Sequence, residues 1–154
     1  MSPHTLPAST HSYLERATES LREAIVETDV PARYAHAHVS ALRAAAALLA
    51  ARAHPERTVG GRRRQRNAWV LLADVAPEMV EWARFFAAGA AKRAAAEAGS
   101  TRAVTAREAD DLVRDADRFL AVVEQALGLT AHTPVEQQLV LGLPREPLMT
   151  RHSA

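Results

Sequence analysis

The chain has 154 residues, a formal net charge of +1 at pH 7 and no cysteine. That length fits one domain with a single core, and the lack of cysteine excludes disulfide bonds and cysteine-ligated zinc. Since 48% of the residues are hydrophobic but only 5% are aromatic, the apolar content is mainly alanine, leucine and valine, which favours closely packed helices over a sheet.

The first residues, 1–11, contain two prolines together with several serines and threonines, and this composition predicts a disordered start. They lack the basic and apolar regions of a secretory signal. No later stretch approaches the roughly 20 apolar residues of a membrane span. We therefore expect a cytoplasmic protein without a membrane partner.

The first helix is predicted to begin at Ser12, because Ser12 and Glu15 have the spacing of a capping box. Its expected buried face repeats at three and four residues. That face consists of Leu14, Thr18, Leu21 and Ile25. A turn at residues 29–31 then leads into the next helix.

Residues 31–54 read PARYAHAHVSALRAAAALLAARAH and predict the central helix of the fold. The stretch contains no glycine, and its single proline stands at the first position, where a helix tolerates it. One stripe is polar and a second is mostly apolar. The polar stripe is Arg33, His36, Ser40 and Arg43, and the apolar stripe is His38, Leu42, Ala45 and Leu49. One histidine therefore points toward the predicted core.

The following segment, PERTVGGRRRQR at residues 55–66, predicts a mobile basic loop, because its proline and glycines interrupt regular structure. Its clustered arginines are Arg62, Arg63, Arg64 and Arg66. Such a cluster can bind nucleic acid by neutralising phosphates. Since no aromatic residue is interleaved, base stacking is not expected. A solvated surface loop is the alternative interpretation.

A long helix is predicted to follow Asn67 and to end at Gly99, with an interruption near Val75 and Ala76 caused by Pro77. Its apolar residues mark one buried stripe. The stripe consists of Trp69, Leu72, Ala76, Met79, Ala83, Phe86 and Ala90.

The last predicted helix begins with a second capping box at Thr105 and Glu108 and ends at Gly128. Its expected inward residues are Ala109, Leu112, Ala116, Phe119, Leu120 and Val123. Four acidic residues on this helix could suggest a metal site. They are Asp110, Asp111, Asp115 and Asp117. Because Arg114 and Arg118 lie about one turn away, a salt-bridged exterior is the preferred interpretation, and no metal or cofactor is predicted.

The remaining residues, 129–154, contain three prolines and no sustained helical period, which predicts a flexible tail. Within it, residues 138–143 resemble the peptide with which bacterial replication and repair proteins bind the sliding clamp. The matching residues are Gln138, Leu139, Leu141 and Leu143. In that peptide the leucines fill an apolar groove. The alternative is a small apolar patch that folds back onto the domain.

These elements together predict an all-α fold, an antiparallel bundle of four to five helices over residues 12–128, with a disordered N-terminus and a flexible tail. The alanines of the central helix would permit a close contact, either inside the bundle or with a second copy of the chain.

Arg33 and His38 are separated by four residues, a spacing that resembles the arginine-to-histidine motif of HEPN domains. The order of the segments over residues 12–128 is also similar to one bacterial HEPN subfamily. These small helical bundles occur in bacterial toxins and RNA-processing systems. The resemblance implies a bundle that often dimerises, with Arg33 and His38 cleaving RNA without a metal at a dimer cleft.

Helix geometry gives a competing interpretation, because residues five apart on a regular helix point about 140° away from each other. His38 would then be a buried histidine with a hydrogen-bonded neighbour, and Arg33 a solvated side chain of the first turn. Three functions follow from these observations. The first is a bundle that acts by association, as a homodimer and with RNA or a protein; the second is an endoribonuclease; the third is a clamp-associated replication or repair accessory protein.

Overall fold

The computed structural model describes residues 5–52 and 68–134, which form six α-helices and one 3₁₀ turn. The helices are α1 (Ala8–Val26), α2 (Val30–Arg52), α3 (Ala68–Val75), α4 (Val80–Ala88), α5 (Ala90–Glu97) and α6 (Ala106–Ala126), with the 3₁₀ turn at Pro77–Met79. No strand is present in these two ranges. The predicted all-α bundle is confirmed.

Helix α2 occupies the centre of the bundle and contacts α1, α3, α5 and α6. Its alanines make this possible, because a methyl side chain lets neighbouring helices approach closely. Ala37, Ala41, Ala44 and Ala45 are completely buried within the single chain. Of the two contacts that the sequence left open for these alanines, the structure therefore shows the one inside the bundle.

The polar stripe of α2 packs against α1 in an antiparallel register. The Ser40 hydroxyl donates to the Ala17 carbonyl at 2.7 Å, and the Arg43 guanidinium donates to the Ser20 hydroxyl at 2.7 Å. Nearer the turn at residues 27–29, His36 Nδ1 lies 3.2 Å from a Glu23 carboxylate oxygen. These contacts satisfy polar groups that the helix pair would otherwise bury without partners.

Helix α1 begins at Ala8, so the predicted start and capping box at Ser12 are wrong. Residues 8–11 belong to the helix, although disorder was expected there. The Thr10 hydroxyl explains the difference, because it is completely buried and donates to the Ala47 carbonyl at 3.1 Å. That contact ties the first turn of α1 to the far end of α2.

The buried face of α1 also differs from the predicted one. Leu21 is buried as expected, but Ile25 is 50% exposed. The small residues Ala17 and Ala24 are instead completely buried. The prediction followed the large apolar residues and therefore placed part of the buried face one position too late, at Ile25 in place of Ala24.

The predicted interruption at Pro77 is confirmed, because α3 ends at Val75 and α4 begins only after the 3₁₀ turn. A second break, at Gly89, was not predicted. A Cβ atom added to Gly89 would lie 3.0 Å from the Tyr34 hydroxyl, so the chain can cross Tyr34 closely only where no side chain is present. Ala90, expected in the buried stripe, is exposed beyond this break.

The core is centred on an aromatic cluster from α3, α4 and α6. The rings of Trp69 and Phe86 stack with centroids 5.0 Å apart, and Phe86 and Phe119 lie 5.1 Å apart. Phe86 is 1% exposed and Phe119 is completely buried. Trp82, which is half-buried at the edge of this cluster, contacts the rings of both Phe86 and Phe119.

Helix α6 follows the sequence prediction closely. The Thr105 side chain accepts from the Glu108 amide at 3.1 Å, and the Glu108 carboxylate accepts from the Thr105 amide at 3.0 Å. All its predicted inward residues are buried: Ala109, Leu112, Ala116, Phe119, Leu120 and Val123. Gly99 and Gly128 have φ values of +84° and +78°, a conformation that favours glycine. None of the described helices combines the length and apolarity that crossing a membrane requires.

Candidate functional site

His38 lies in a closed apolar environment, as its place in the apolar stripe predicted. It is 1% exposed. Its ring meets Trp69 edge to face at 6.1 Å and Phe86 edge to face at 6.0 Å, measured between ring centroids. These aromatic rings come from α3 and α4, so the imidazole helps to hold both helices against α2.

One hydrogen bond anchors the ring. His38 Nε2 is 3.0 Å from the Phe86 carbonyl oxygen, and because a carbonyl only accepts, the Nε2–H donates. The Nδ1 atom is buried and has no hydrogen-bond partner among the described residues. Burial is the largest influence on the His38 pKa, which it lowers below the ordinary value of 6.5. The imidazole is therefore neutral at pH 7.

Arg33 is bound on another side of α2. Its guanidinium forms an ion pair with the Asp110 carboxylate of α6, and its Nε donates to the Glu27 carbonyl at 2.9 Å. The Arg33 side chain is only 23% exposed, so the prediction of a solvated first-turn arginine is wrong. Arg33 instead connects the α1–α2 turn to the first turns of α6.

The structure does not bring the two predicted catalytic residues to a common site. Arg33 contacts the end of α1 and α6, whereas His38 contacts α3 and α4. This separation agrees with their angular offset of about 140° on a regular helix. A proton donor and a cation that serve one phosphate must both reach it, and within one chain these two side chains face different neighbours.

Tyr34 lies beside this region and closes the space between α2 and the α4–α5 junction. It is 6% exposed, and burial raises the pKa of its hydroxyl above the usual 10.0. Lys92 and Glu108 form an ion pair nearby that connects α5 to α6. Sequence reasoning missed this contact, because only the close approach of Gly89 to Tyr34 brings α5 there.

The acidic residues of α6 do not act as one group. Asp110 pairs with Arg33, and Asp111 pairs with Arg114 on its own helix. Asp117 is 4% exposed, so the prediction that it belongs to a salt-bridged exterior is wrong. Over residues 5–52 and 68–134, no cluster of three or more histidine, aspartate or glutamate side chains has the geometry of a metal site.

His132 is the partner of Asp117 and was not predicted. Its Nε2 lies 2.6 Å from Asp117 Oδ1, and its Nδ1 lies 2.6 Å from Glu124 Oε1. The hydrogen bonds to Asp117 and then to Glu124 raise the pKa of His132 from 6.5 to about 9. One signal was available in the sequence, because Asp117 stands next to the buried stripe of α6 and Glu124 follows it two turns later on the same face.

The other predicted binding residues lie outside the described part of the chain. They are the basic cluster Arg62, Arg63, Arg64 and Arg66, and the tail motif Gln138, Leu139, Leu141 and Leu143. Their roles stay predictions from the sequence.

Comparisons with known proteins show to which family the chain belongs. No curated protein and no solved structure matches the chain. The sequence model of the SAV_6107-like HEPN family does match, over residues 24–124. This range contains α2 to α5, the last turn of α1 and nearly all of α6, and it ends eight residues before His132. Since the match covers more than half of the 154 residues and the fold is an all-α bundle, the chain belongs to the SAV_6107-like HEPN family.

Proposed function

We propose that the protein is an HEPN bundle that acts by association, as a homodimer and with RNA or a protein as a further partner, and that Arg33 and His38 serve its structure. The burial of His38 carries this proposal. At 1% exposure, the imidazole has no surface with which to reach a ribose hydroxyl or a leaving oxygen. A general acid or base has to lie within hydrogen-bond reach of the proton that it moves.

The electrostatics of the two side chains support the same conclusion. The single hydrogen bond of His38 goes to the Phe86 carbonyl, which holds the ring as a donor inside the core. The charge of Arg33 is compensated by Asp110, which weakens any stabilisation of the extra negative charge on a phosphorane. A metal-independent endoribonuclease, the competing proposal, would need a second chain or a rearrangement of α2 to assemble its site.

Exposed apolar side chains support association. Ile25 is 50% exposed, Val26 77%, Val70 69% and Phe85 47%. Ile25 and Val26 are neighbours at the end of α1, where they form a small apolar area beside charged residues. The alanines of α2 are used inside the bundle, so a second copy has to bind through another surface such as this one.

The homodimer is tested by the mass of the full chain in solution. Sedimentation equilibrium should give twice the chain mass of 16.7 kDa, and Val26→Asp should shift the equilibrium toward monomer because it adds a charge to an apolar contact. Glu15→Gln, at an exposed position on the same helix, is the matched control and should not change the mass. A monomeric wild-type protein at micromolar concentration would end the homodimer proposal.

Catalysis is tested with single-stranded RNA in the presence of EDTA. We expect no cleavage above the buffer control, and we expect His38→Ala to lower the free energy of unfolding by about 1–3 kcal/mol through lost packing and the lost hydrogen bond from Nε2–H to the Phe86 carbonyl. His36→Ala is the control, since that histidine lies on the same helix and is half-buried against α1, away from the aromatic cluster. Cleavage that His38→Ala abolishes without changing Tm would replace this proposal with the endoribonuclease.

A further inference from the structure

The chain reverses direction after α6 and runs back along it. The reversal occurs at Gly128, whose φ of +78° suits glycine. The Leu129 amide donates to the Glu124 carbonyl at 2.9 Å. Leu127 and Pro134, at the two ends of the returning segment, are both buried. Residues 127–134 are thus held against the bundle, although a flexible tail was predicted from residue 129.

His132 spans two turns of α6 in this segment. Its ring nitrogens each meet a carboxylate at 2.6 Å, Asp117 through Nε2 and Glu124 through Nδ1. Asp117 and Glu124 are seven residues apart, so their Cα atoms are about 10 Å apart along the helix axis, and the two side chains converge on the ring. The His132 amide donates to the same Glu124 oxygen as the ring, at 3.2 Å. Because ionised carboxylates only accept hydrogen bonds, both ring nitrogens must be protonated for both contacts to form.

We propose that His132 is a protonation-dependent clasp, which fixes residues 127–134 to α6 and releases them when the ring loses one of its two protons. The imidazolium supplies a counter-charge to Asp117, a carboxylate that is 4% exposed, and buried charges depend on such partners. Losing the ring proton removes one of the two ring contacts, because the nitrogen that has lost its proton can no longer donate to a carboxylate.

The direction of the pH dependence follows from the charges around the ring. Asp117 and Glu124, both on α6, raise the pKa of His132 to about 9. No charged group of another helix in residues 5–52 and 68–134 contributes to this shift. A raised pKa means that the clasp is complete below the ordinary value of 6.5 and is lost as the pH rises through about 9.

Opening the clasp would free residues 128–134 from α6. Residues 128–134 span about 23 Å when extended, so Pro134 can lie up to about 23 Å from Gly128 in the open state.

The test is an NMR titration of the histidine rings of the full chain, with His132→Gln used to assign the signal. His132 should titrate near pH 9 in the wild-type protein. In Glu124→Gln its pKa should fall by a unit or more, because one of its two carboxylate charges is removed. Amide hydrogen exchange at residue 132 should become at least ten times faster in His132→Gln.

His36 provides a matched control, because its ring also lies between two carboxylates, 3.2 Å from Glu23 and 3.7 Å from Glu27. His36→Gln should leave exchange at residue 132 unchanged. Glu124 is chosen for substitution instead of Asp117, because the Glu124 side chain is 20% exposed and that of Asp117 only 5%. A His132 ring that titrates near 6.5, or an exchange rate at residue 132 that His132→Gln does not alter, would overturn the clasp.

Discussion

Phe86→Ala is expected to lower the free energy of unfolding by about 3–5 kcal/mol, the largest effect of any single substitution considered for this chain. Phe86 is 1% exposed and contacts the rings of Trp69, Trp82 and Phe119, each within 6.0 Å between centroids. Its removal leaves a cavity where α3, α4 and α6 meet, and the rigid neighbouring rings cannot refill it. Urea denaturation followed by circular dichroism measures the change.

Phe85→Ala is the matched control for this prediction. Phe85 is the adjacent residue, carries the same side chain and is 47% exposed, so its removal should cost no more than about 1 kcal/mol, mainly the edge-to-face contact with Phe86. Equal losses in the two variants would mean that the aromatic cluster is not the centre of the core.

A second consequence of Phe86→Ala would appear at His38. The backbone carbonyl of residue 86 remains after the substitution, so the hydrogen bond to His38 Nε2 can persist, but the ring loses one of its two aromatic neighbours. Water that enters the cavity would weaken the burial that lowers the His38 pKa, and that pKa should rise toward 6.5.

The fold could be predicted where local chemistry and periodicity agree. Helix α6 is the clearest case, because the Thr105 capping box and the spacing of Leu112, Phe119 and Val123 depend only on residues within one helix. The interruption at Pro77 follows equally from local covalent geometry. Such features need no knowledge of the rest of the molecule.

The errors arose where contacts between distant segments decide the structure. The start of α1 depends on Thr10 meeting Ala47, and the break at Gly89 depends on Tyr34 approaching the backbone. Neither pair is close in sequence. Small residues add to the difficulty, since Ala17 and Ala24 are completely buried while the larger Ile25 is 50% exposed.

Only part of the candidate site could be predicted, because the rest also depends on contacts between distant segments. The burial of His38 followed from its position in the apolar stripe of one helix. The contact of Arg33 with Asp110 joins residues 77 positions apart, and that of His132 with Asp117 requires the reversal at Gly128. Helical periodicity carries no information about a segment that returns after its helix has ended.

The stability of the protein should reach its maximum near pH 6.5, because two histidines have pKa shifts of opposite sign. The pKa of His132 is raised to about 9, so its contribution is complete below 6.5 and is lost between pH 6.5 and 9. The pKa of His38 is lowered by burial, so its contribution is complete above 6.5 and is lost as the pH falls below it. Urea denaturation at a series of pH values measures the loss of stability on each side of the maximum, the acid limb below pH 6.5 and the alkaline limb above it.

The size of the stability loss above pH 6.5 follows from the pKa of His132. A shift from 6.5 to about 9 corresponds to about 3 kcal/mol, and solvent screening of a ring that is 33% exposed reduces this to about 2 kcal/mol. His132→Gln should flatten the alkaline limb and leave the acid limb in place. His38→Leu, which keeps the volume but removes the titrating ring, should do the reverse. If His132→Gln left the loss above pH 6.5 unchanged, the imidazolium bridge between Asp117 and Glu124 could not be its source.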